Sequence, residues 1–363
     1  MLHPPGLRID LPVFQLMCAH DLTQVVENHE AGTGGTLVQR SDISGHVCGS
    51  FPFPELFISE RDTCFSHSTI YEVFKKILVT REVFVEVLDF LARDFEVMDN
   101  QRDKVLDTGE LASALADREG ALTTLTERID EDLLRRCPKL KAVCNIAVGY
   151  NNIDLAACTA HGVMATNTPG VLDDTTADFA WALILATARR LNECEAYVRK
   201  GRWDKWRLKQ FLGLDVHHAT LGILGLGRIG QAVARRAAGF QMEVIYHDVR
   251  RAPPEIESAC RAGYVTKEEL FRRADIVTIH VPYSRETHHA VGAPEISLMK
   301  KSAILIHAAR GGVLDDATLV EALRGGVIAG AGLDVFEGEP ALHPGFLELR
   351  NVVLSPHIAS SSE

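Results

Sequence analysis

Near the end of the chain three polar residues each follow a strand-like run: Arg310 after I-L-I-H-A-A, Glu339 after G-L-D-V-F-E-G and His357 after V-V-L-S-P. An arginine can hold a carboxylate through two parallel hydrogen bonds. A histidine titrates near neutral pH, and a glutamate beside it favours the imidazolium, which can then donate a proton. A cation to hold an acid and a proton donor beside a carbonyl are what hydride transfer needs if a nicotinamide is bound. Singly, such residues more often form surface ion pairs. All three stand at strand ends, where open α/β sheets bind their ligands.

The means of binding a dinucleotide stand upstream. From Leu221 the chain reads L-G-I-L-G-L-G-R-I-G, then a helix-like stretch, then M-E-V-I-Y-H-D ending at Asp248. This is strand, glycine turn, helix and second strand. Gly225 permits the tight turn, Gly227 removes a Cβ so that backbone N–H groups can approach a pyrophosphate, and Gly230 lets helix and strand pack closely. The helix N-terminus, at Arg228 and Ile229, then faces the anion. Asp248, 23 residues after Gly225, stands where a carboxylate accepts from an adenosine ribose diol, so NAD(H) is expected, although it could be a solvated turn residue. Arg250 and Arg251 leave NADP(H) possible, since a guanidinium there could take a 2′-phosphate.

The elements needed to position these residues alternate along the chain. Strand-like K-K-I-L-V-T, helix-like 82–93, strand-like F-E-V-M, helix-like 110–116 and strand-like A-L-T-T-L come first, then a short helix capped by Asp130 and strands L-K-A-V-C-N-I-A and G-V-M-A-T-N. A second series opens near Asp173 with a long apolar helix of the kind that joins or pairs domains. Beyond the glycine turn, Thr266 and Glu269 form a capping box, followed by strands A-D-I-V-T-I-H-V, S-A-I-L-I-H-A and A-G-A-G-L-D-V-F, with a helix over 316–323. Alternation of this kind implies parallel sheets covered on both faces.

At 363 residues the chain is long enough for two cores, and 46% hydrophobic with 24% charged residues suits a globular fold. A net charge of −11 gives no basic field for nucleic acid or an anionic membrane. The apolar run from Phe179 to Ala188 is too short to span a bilayer. No secretory or mitochondrial leader is recognisable in the first residues, and eight cysteines without a C-x-x-C pattern read as reduced thiols, so a cytoplasmic location is expected. The pairs His217/His218 and His288/His289 lack cysteine or carboxylate partners at ligand spacing, so no metal is expected. Trp203 and Trp206, following the long apolar helix, suggest a homodimer surface on the cofactor-binding half rather than a stacking platform for bases. Residues 1–74 carry nine acidic and three basic residues without periodicity, and are expected to be an irregular extension without a role in chemistry.

The segments V-G-Y-N-N-I-D, N-T-P-G-V-L-D-D-T-T-A-D, G-L-G-R-I-G, A-A-R-G-G-V-L-D, G-L-D-V-F-E-G-E-P and S-P-H-I-A-S together resemble the D-2-hydroxyacid dehydrogenase family from Lys75 to Ser360, most of all its glyoxylate/hydroxypyruvate reductase branch, which includes 2-ketogluconate reductases. The resemblance implies two Rossmann-like, doubly wound α/β domains: a flavodoxin-like substrate domain over 75–170 and an NAD-binding domain over 171–357. It implies that Arg310 binds the substrate carboxylate and polarises its carbonyl, that His357 is the general acid/base, and that Glu339, 29 residues after Arg310, is its partner. Asp334 would hold the nicotinamide carboxamide. His280 and Pro282 would border the adenine side, and N–H groups at Val148 and Gly149 would meet the substrate carboxylate. The chain departs from the family at His307, where Asn is usual, and at Asn151, where Asp is usual; both are expected to lie clear of the triad. It also stops at Glu363, so that 358–363 stands where relatives continue into a helix returning to the substrate domain. The implied activity is reduction of a small 2-keto acid, of the hydroxypyruvate or glyoxylate type, to the D-2-hydroxy acid. Alternatives are a phosphite- or formate-type dehydrogenase, or a nucleotide-sensing corepressor-like protein of the same fold.

Overall fold

A computed structural model describes residues 76–362 and the backbone of a short strand at Leu37–Val38. The remainder of the 1–74 expectation lies outside the described residues. Leu37–Val38 pairs in parallel with Met164–Thr166, a sheet edge that the expectation of an irregular extension did not include. The chain divides after Gly170 into two compact units.

In the first unit the strands β1 (Leu37–Val38), β2 (Lys76–Val79), β3 (Glu96–Asp99), β4 (Gly120–Thr123), β5 (Ala142–Asn145) and β6 (Met164–Thr166) form one parallel sheet in the order β1-β6-β5-β4-β2-β3. β4 and β5 are buried at every position, whereas edge strand β3 is largely exposed. Central strands covered on both faces read as unbroken apolar runs, which is why they were legible. Asp107, Asp130 and Asp154 cap the helices Thr108–Leu115, Glu131–Arg136 and Leu155–Ala160 by accepting N–H bonds from Glu110, Leu133 and Ala157.

The second unit carries seven parallel strands: β7 (Thr220–Leu224), β8 (Glu243–His247), β9 (Ala262–Tyr264), β10 (Ile276–Ile279), β11 (Ile304–His307), β12 (Gly330–Leu333) and β13 (Val352–Leu354), in the order β13-β12-β11-β10-β7-β8-β9. Strand order reverses between β7 and β10, the place where doubly wound sheets open a crevice. Register aligns the last residues of six strands in one row: His247, Leu224, Ile279, His307, Leu333 and Leu354. The residues that follow this row are Asp248, Gly225, His280, Ala308, Asp334 and Ser355, so polar groups distant in sequence leave the sheet along one edge.

Aliphatic clusters cover both faces of this sheet. The helix Asp173–Ala188, expected to join or pair domains, packs within this unit, where Trp181 donates through Nε1 to the Val233 carbonyl at 3.1 Å and stacks on Phe240. Left-handed Arg190 ends that run, and a separate helix Leu191–Arg199 follows. The capping box is half made: Thr266 accepts from the Glu269 N–H, but the Glu269 carboxylate pairs with Arg273 instead. No described helix is long and apolar enough to cross a membrane.

Candidate functional site

The glycine turn is built as its residue types require. Gly225 sits at φ +96°, and a Cβ there would lie 2.8 Å from Val281 Cγ1 and 2.9 Å from the His280 carbonyl carbon; at Gly230 a Cβ would lie 2.2 Å from the Gly225 carbonyl oxygen. Neither position admits a side chain. Gly227, the residue before the helix Arg228–Ala237, instead faces open space, with nothing within 4 Å of where a Cβ would stand. The first N–H groups of a helix have no partner inside it, so Arg228, Ile229 and Gly230 present donors beside that opening. The Arg228 side chain turns to Asp173 at 3.3 Å.

Asp248 follows β8 and braces the turn: its carboxylate accepts from the Leu226 N–H at 2.8 Å and the Val249 N–H at 2.7 Å. A carboxylate has roughly four lone-pair sites, so about two remain for a diol. Arg251 is committed elsewhere, gripping Glu257 at 2.8 and 2.9 Å. That guanidinium, with the Tyr246 hydroxyl, draws the Glu257 carboxyl down to about 2. Arg250 is exposed.

Across the crevice, His280 accepts or donates at 2.8 Å with the Thr278 hydroxyl, and loss of water contact, aided by His307, pushes its imidazole down to about 3. Pro282 is exposed, and its carbonyl accepts from the Thr287 hydroxyl at 2.7 Å.

The structure brings Arg310, Glu339 and His357 together around β11. His357 Nδ1 lies 2.6 Å from Glu339 Oε2, while Glu339 Oε1 accepts from the Phe336 N–H at 2.8 Å. A carboxylate only accepts, so Nδ1 carries the proton, and among the described residues Nε2 has no partner. Burial pushes the Glu339 carboxyl upward, but the His357 and Phe336 hydrogen bonds and the charges of His357 and Arg310 outweigh it, and the net direction is down. Arg310 is largely removed from water, which lowers its pKa against the opposing pull of Glu339. Its Nη1 donates to the Ala309 carbonyl at 2.7 Å, and its Nε is buried without a partner. An orphaned donor on a desolvated cation is costly unless something anionic completes it.

Asp334 is 0% exposed, and its carboxylate accepts from the Ser355 hydroxyl at 2.7 Å, the Ile358 N–H at 2.9 Å and the Ala359 N–H at 2.8 Å. Three of its roughly four lone-pair sites thus hold the segment that carries His357. This anchoring role went unseen in the sequence. His357 itself sits at φ +55°, a conformation uncommon outside glycine, and its N–H donates to the Asp334 carbonyl at 2.8 Å.

Two expectations are corrected. His307 does not lie clear of the triad: it is 1% exposed, and its Nε2 donates to the Arg310 carbonyl at 2.9 Å, leaving Nδ1 buried without a partner. Burial drives its pKa down to about 4, and Arg310, Glu339 and His357 all act on its charge. Its place in the terminal row of β11 was the signal. Sequence spacing offers the pair His288/His289 no carboxylate, yet the fold delivers Glu337, with His289 Nε2 3.1 Å from its Oε2. A partner 48 residues away cannot be read from local spacing. Asn151 is exposed in the first unit.

In that unit the Asn145 and Asn167 side-chain amides hold the carbonyls of Gly149 and Val148 at 2.9 and 2.8 Å. Among the described residues no acceptor takes the N–H of Val148 or Gly149.

His307 and His280 make stability pH-dependent. Both are held neutral in the fold, at about 4 and about 3, while an unfolded histidine titrates near 6.5. Below pH ~6.5 the unfolded chain gains protons that the folded one refuses, so stability falls with pH by up to about 1.4 kcal/mol per unit for each group. Asp316, which burial pushes up to about 6, works in the opposite sense as pH falls. His307→Asn leaves Asp316 unchanged and is expected to flatten the fall in melting temperature between pH 6.5 and 4.5. Equal slopes for the two proteins in thermal scans would show that His307 does not titrate as placed.

Residues 181–359 match the family model for the NAD-binding domain of D-isomer-specific 2-hydroxyacid dehydrogenases. The chain is 44% identical over 291 residues to a glyoxylate reductase of Thermococcus gammatolerans, covering 79% of this chain and 87% of that one. Among solved structures it is similar to a glyoxylate reductase from Paecilomyes thermophila, at 30% identity and TM-score 0.72 over 80% of this chain and 90% of the other. It is also similar to an NADPH-dependent glyoxylate/hydroxypyruvate reductase from Sinorhizobium meliloti in complex with NADP and malonate, at 34% identity and TM-score 0.71, over 79% and 88%.

Proposed function

From the fact that this chain belongs to the D-2-hydroxyacid dehydrogenase family, we propose that it reduces a small 2-keto acid, glyoxylate or hydroxypyruvate, to the D-2-hydroxy acid with a nicotinamide dinucleotide. The observation that carries this reading is the Glu339–His357 pair beside Arg310, whose buried Nε lacks a partner. The glycine turn fits the cofactor: the opening at Gly227 admits a pyrophosphate, and Asp248 keeps acceptor capacity for a ribose. When bound, the nicotinamide would supply the hydride. Arg310 holds the substrate carboxylate and draws electron density from its carbonyl. His357 gives its Nε2 proton to the carbonyl oxygen, and Glu339 steadies the imidazolium through Nδ1. Asp334, buried and bonded to Ser355, Ile358 and Ala359, anchors the His357 segment, and its carboxylate would meet a carboxamide only after that burial opened. His280 and Pro282 border the adenine side. In the first unit, the N–H groups of Val148 and Gly149 are suited to an anion.

A phosphite- or formate-type substrate would also give Arg310 an anion to hold but would offer His357 no carbonyl oxygen to protonate, and a corepressor role would need no turnover. A panel of 2-keto acids with NADH and NADPH, followed at 340 nm, separates these readings; no oxidation of either cofactor by any keto acid would defeat ours. The same panel tests cofactor choice. NADH is the expected partner, because Asp248 repels a 2′-phosphate and Arg251 is occupied by Glu257. Asp248→Ala is expected to raise the NADPH/NADH ratio of kcat/KM about tenfold or more, a gain of 1.4 kcal/mol or above. A wild type that prefers NADPH would place control with Arg250 instead.

Leu191, Val198, Trp203, Trp206, Leu208 and Leu212 are exposed apolar side chains close in sequence on the second unit, which supports pairing of two copies through that unit. The described cysteines are free thiols, in keeping with a reduced, cytoplasmic setting.

A further inference from the structure

The loops around the crevice of the second unit carry a cluster for which the proposed reduction has no use. His288 and His289 stack with ring centroids 3.9 Å apart and an interplanar angle of 24°. Glu337 closes on them from the β12 side, its two oxygens 3.1 and 3.2 Å from His289 Nε2. One potential ligand atom from each of the three residues falls within a group no wider than 4.8 Å. His289 and Glu337 alone would be an ordinary ion pair. That pairing does not account for His288, whose ring lies flat on its neighbour with Nδ1 3.5 Å from the Tyr283 hydroxyl.

We propose that His288, His289 and Glu337 form a binding site for a divalent first-row transition ion, with zinc the best fit. Two imidazoles and one carboxylate are the donor set of three-ligand zinc sites that leave a fourth position to water. Imidazole nitrogen selects zinc, copper or nickel over magnesium and calcium, which take oxygen cages. The dimensions agree: zinc bonds of about 2.0–2.1 Å in a tetrahedron put ligand atoms roughly 3.3 Å apart, close to the 3.1 Å found between His289 and Glu337. His288 and Glu337 are exposed, so the side-chain rotations that would bring all three ligand atoms onto one ion are open to them.

Backbone geometry keeps the cluster in place. His289 sits at φ +50° and donates its N–H to the Gly312 carbonyl at 2.8 Å. Gly312, at φ +82°, leaves the space that the Tyr283 and His288 rings approach: a Cβ there would be 2.8 Å from Tyr283 Cε2 and 3.7 Å from His288 Nδ1. The Glu337 N–H donates to Asp316 Oδ2 at 2.9 Å. An ion held here would tie the His288–His289 segment, which the Gly312 carbonyl holds just after Arg310, to the segment just before Glu339.

The test is zinc titration of the full-length protein, stripped with chelator and followed by calorimetry, with cobalt(II) as a visible-absorption probe of the same site. One ion per chain is expected. Loss of an outer-shell partner weakens metal binding by about 10–100-fold, so loss of a direct ligand in His288→Asn or Glu337→Gln is expected to cost at least tenfold. Both variants should melt within a degree or so of wild type, because both side chains are exposed, and should keep their metal-free turnover. No binding by wild type overturns the proposal. So does undiminished binding in both variants, which would put the ion elsewhere. Because binding is read without substrate, it can succeed or fail independently of the reductase reading.

Discussion

His357→Ala is expected to lower kcat/KM for 2-keto acid reduction by about 10²–10⁴-fold, the usual worth of a positioned acid. The expectation rests on how little freedom the imidazole has. Glu339 accepts a hydrogen bond from its Nδ1 at 2.6 Å, and Asp334 holds the backbone at and after it, through its own carbonyl to the His357 N–H and through its carboxylate to the Ile358 and Ala359 N–H groups. A water in the vacated space has neither the tautomer nor the anchoring. Glu339→Gln separates the proton-transfer role from a structural one. It keeps the size and an acceptor oxygen but removes the negative charge beside the ring, so kcat should fall while KM changes little. Steady-state kinetics of the three proteins check this. Near-normal turnover in His357→Ala, or an unchanged kcat in Glu339→Gln, would remove His357 from the role assigned to it.

Arg310→Gln is expected to act as strongly, but through a different kinetic signature. Hydrogen bonds to charged groups contribute about 1.5–3 kcal/mol each, so losing a two-bond clamp costs on the order of 10²–10⁴ in kcat/KM. The carboxylate is held equally in ground and transition states, which raises KM; polarisation of the carbonyl grows only as the hydride arrives, which lowers kcat. Arg310→Lys restores the charge without the planar fork and should recover only part of the loss. Because Glu339 senses the Arg310 charge, the Gln variant should also alter the pH profile. If Arg310→Gln and Arg310→Lys both keep kcat/KM near wild type, the buried Nε serves structure alone.

Much of this was legible in the sequence, for identifiable reasons. Buried parallel strands are unbroken apolar runs, so β4, β5, β7, β10 and β11 announced themselves, and the glycines of the turn were readable because each has one steric task. Short edge pieces were not. β9, only three residues long and two-thirds exposed, shows no apolar run, and the helices Pro254–Cys260 and Ala293–Leu298 are too short to display a period. At the site, residue identity was readable and partnership was not. Arg310, Glu339 and His357 could be named, but that Asp334 binds the His357 segment and that Glu337 meets His289 depend on how strands line up across the sheet, and that His307 reaches the Arg310 carbonyl depends on the turn that follows β11. Pairings of that kind link positions 3 to 48 residues apart with no common spacing.

The row in which His247, Leu224, Ile279, His307, Leu333 and Leu354 end their strands divides the second unit into two mutational territories. Below it lie aliphatic residues whose replacement opens cavities or forces repacking, so damage there will register as less folded protein with each surviving molecule working normally. Above it the loops still lend residues to the aliphatic layers, Val313, Leu314 and Phe336 among them, but damage to the polar groups there will register as full yields of sluggish enzyme. A saturation library sorted once for abundance and once for turnover would therefore separate the aliphatic positions from the polar ones that follow the row. His307, on the boundary and joined to both sides, is the position where the two scores should fall together.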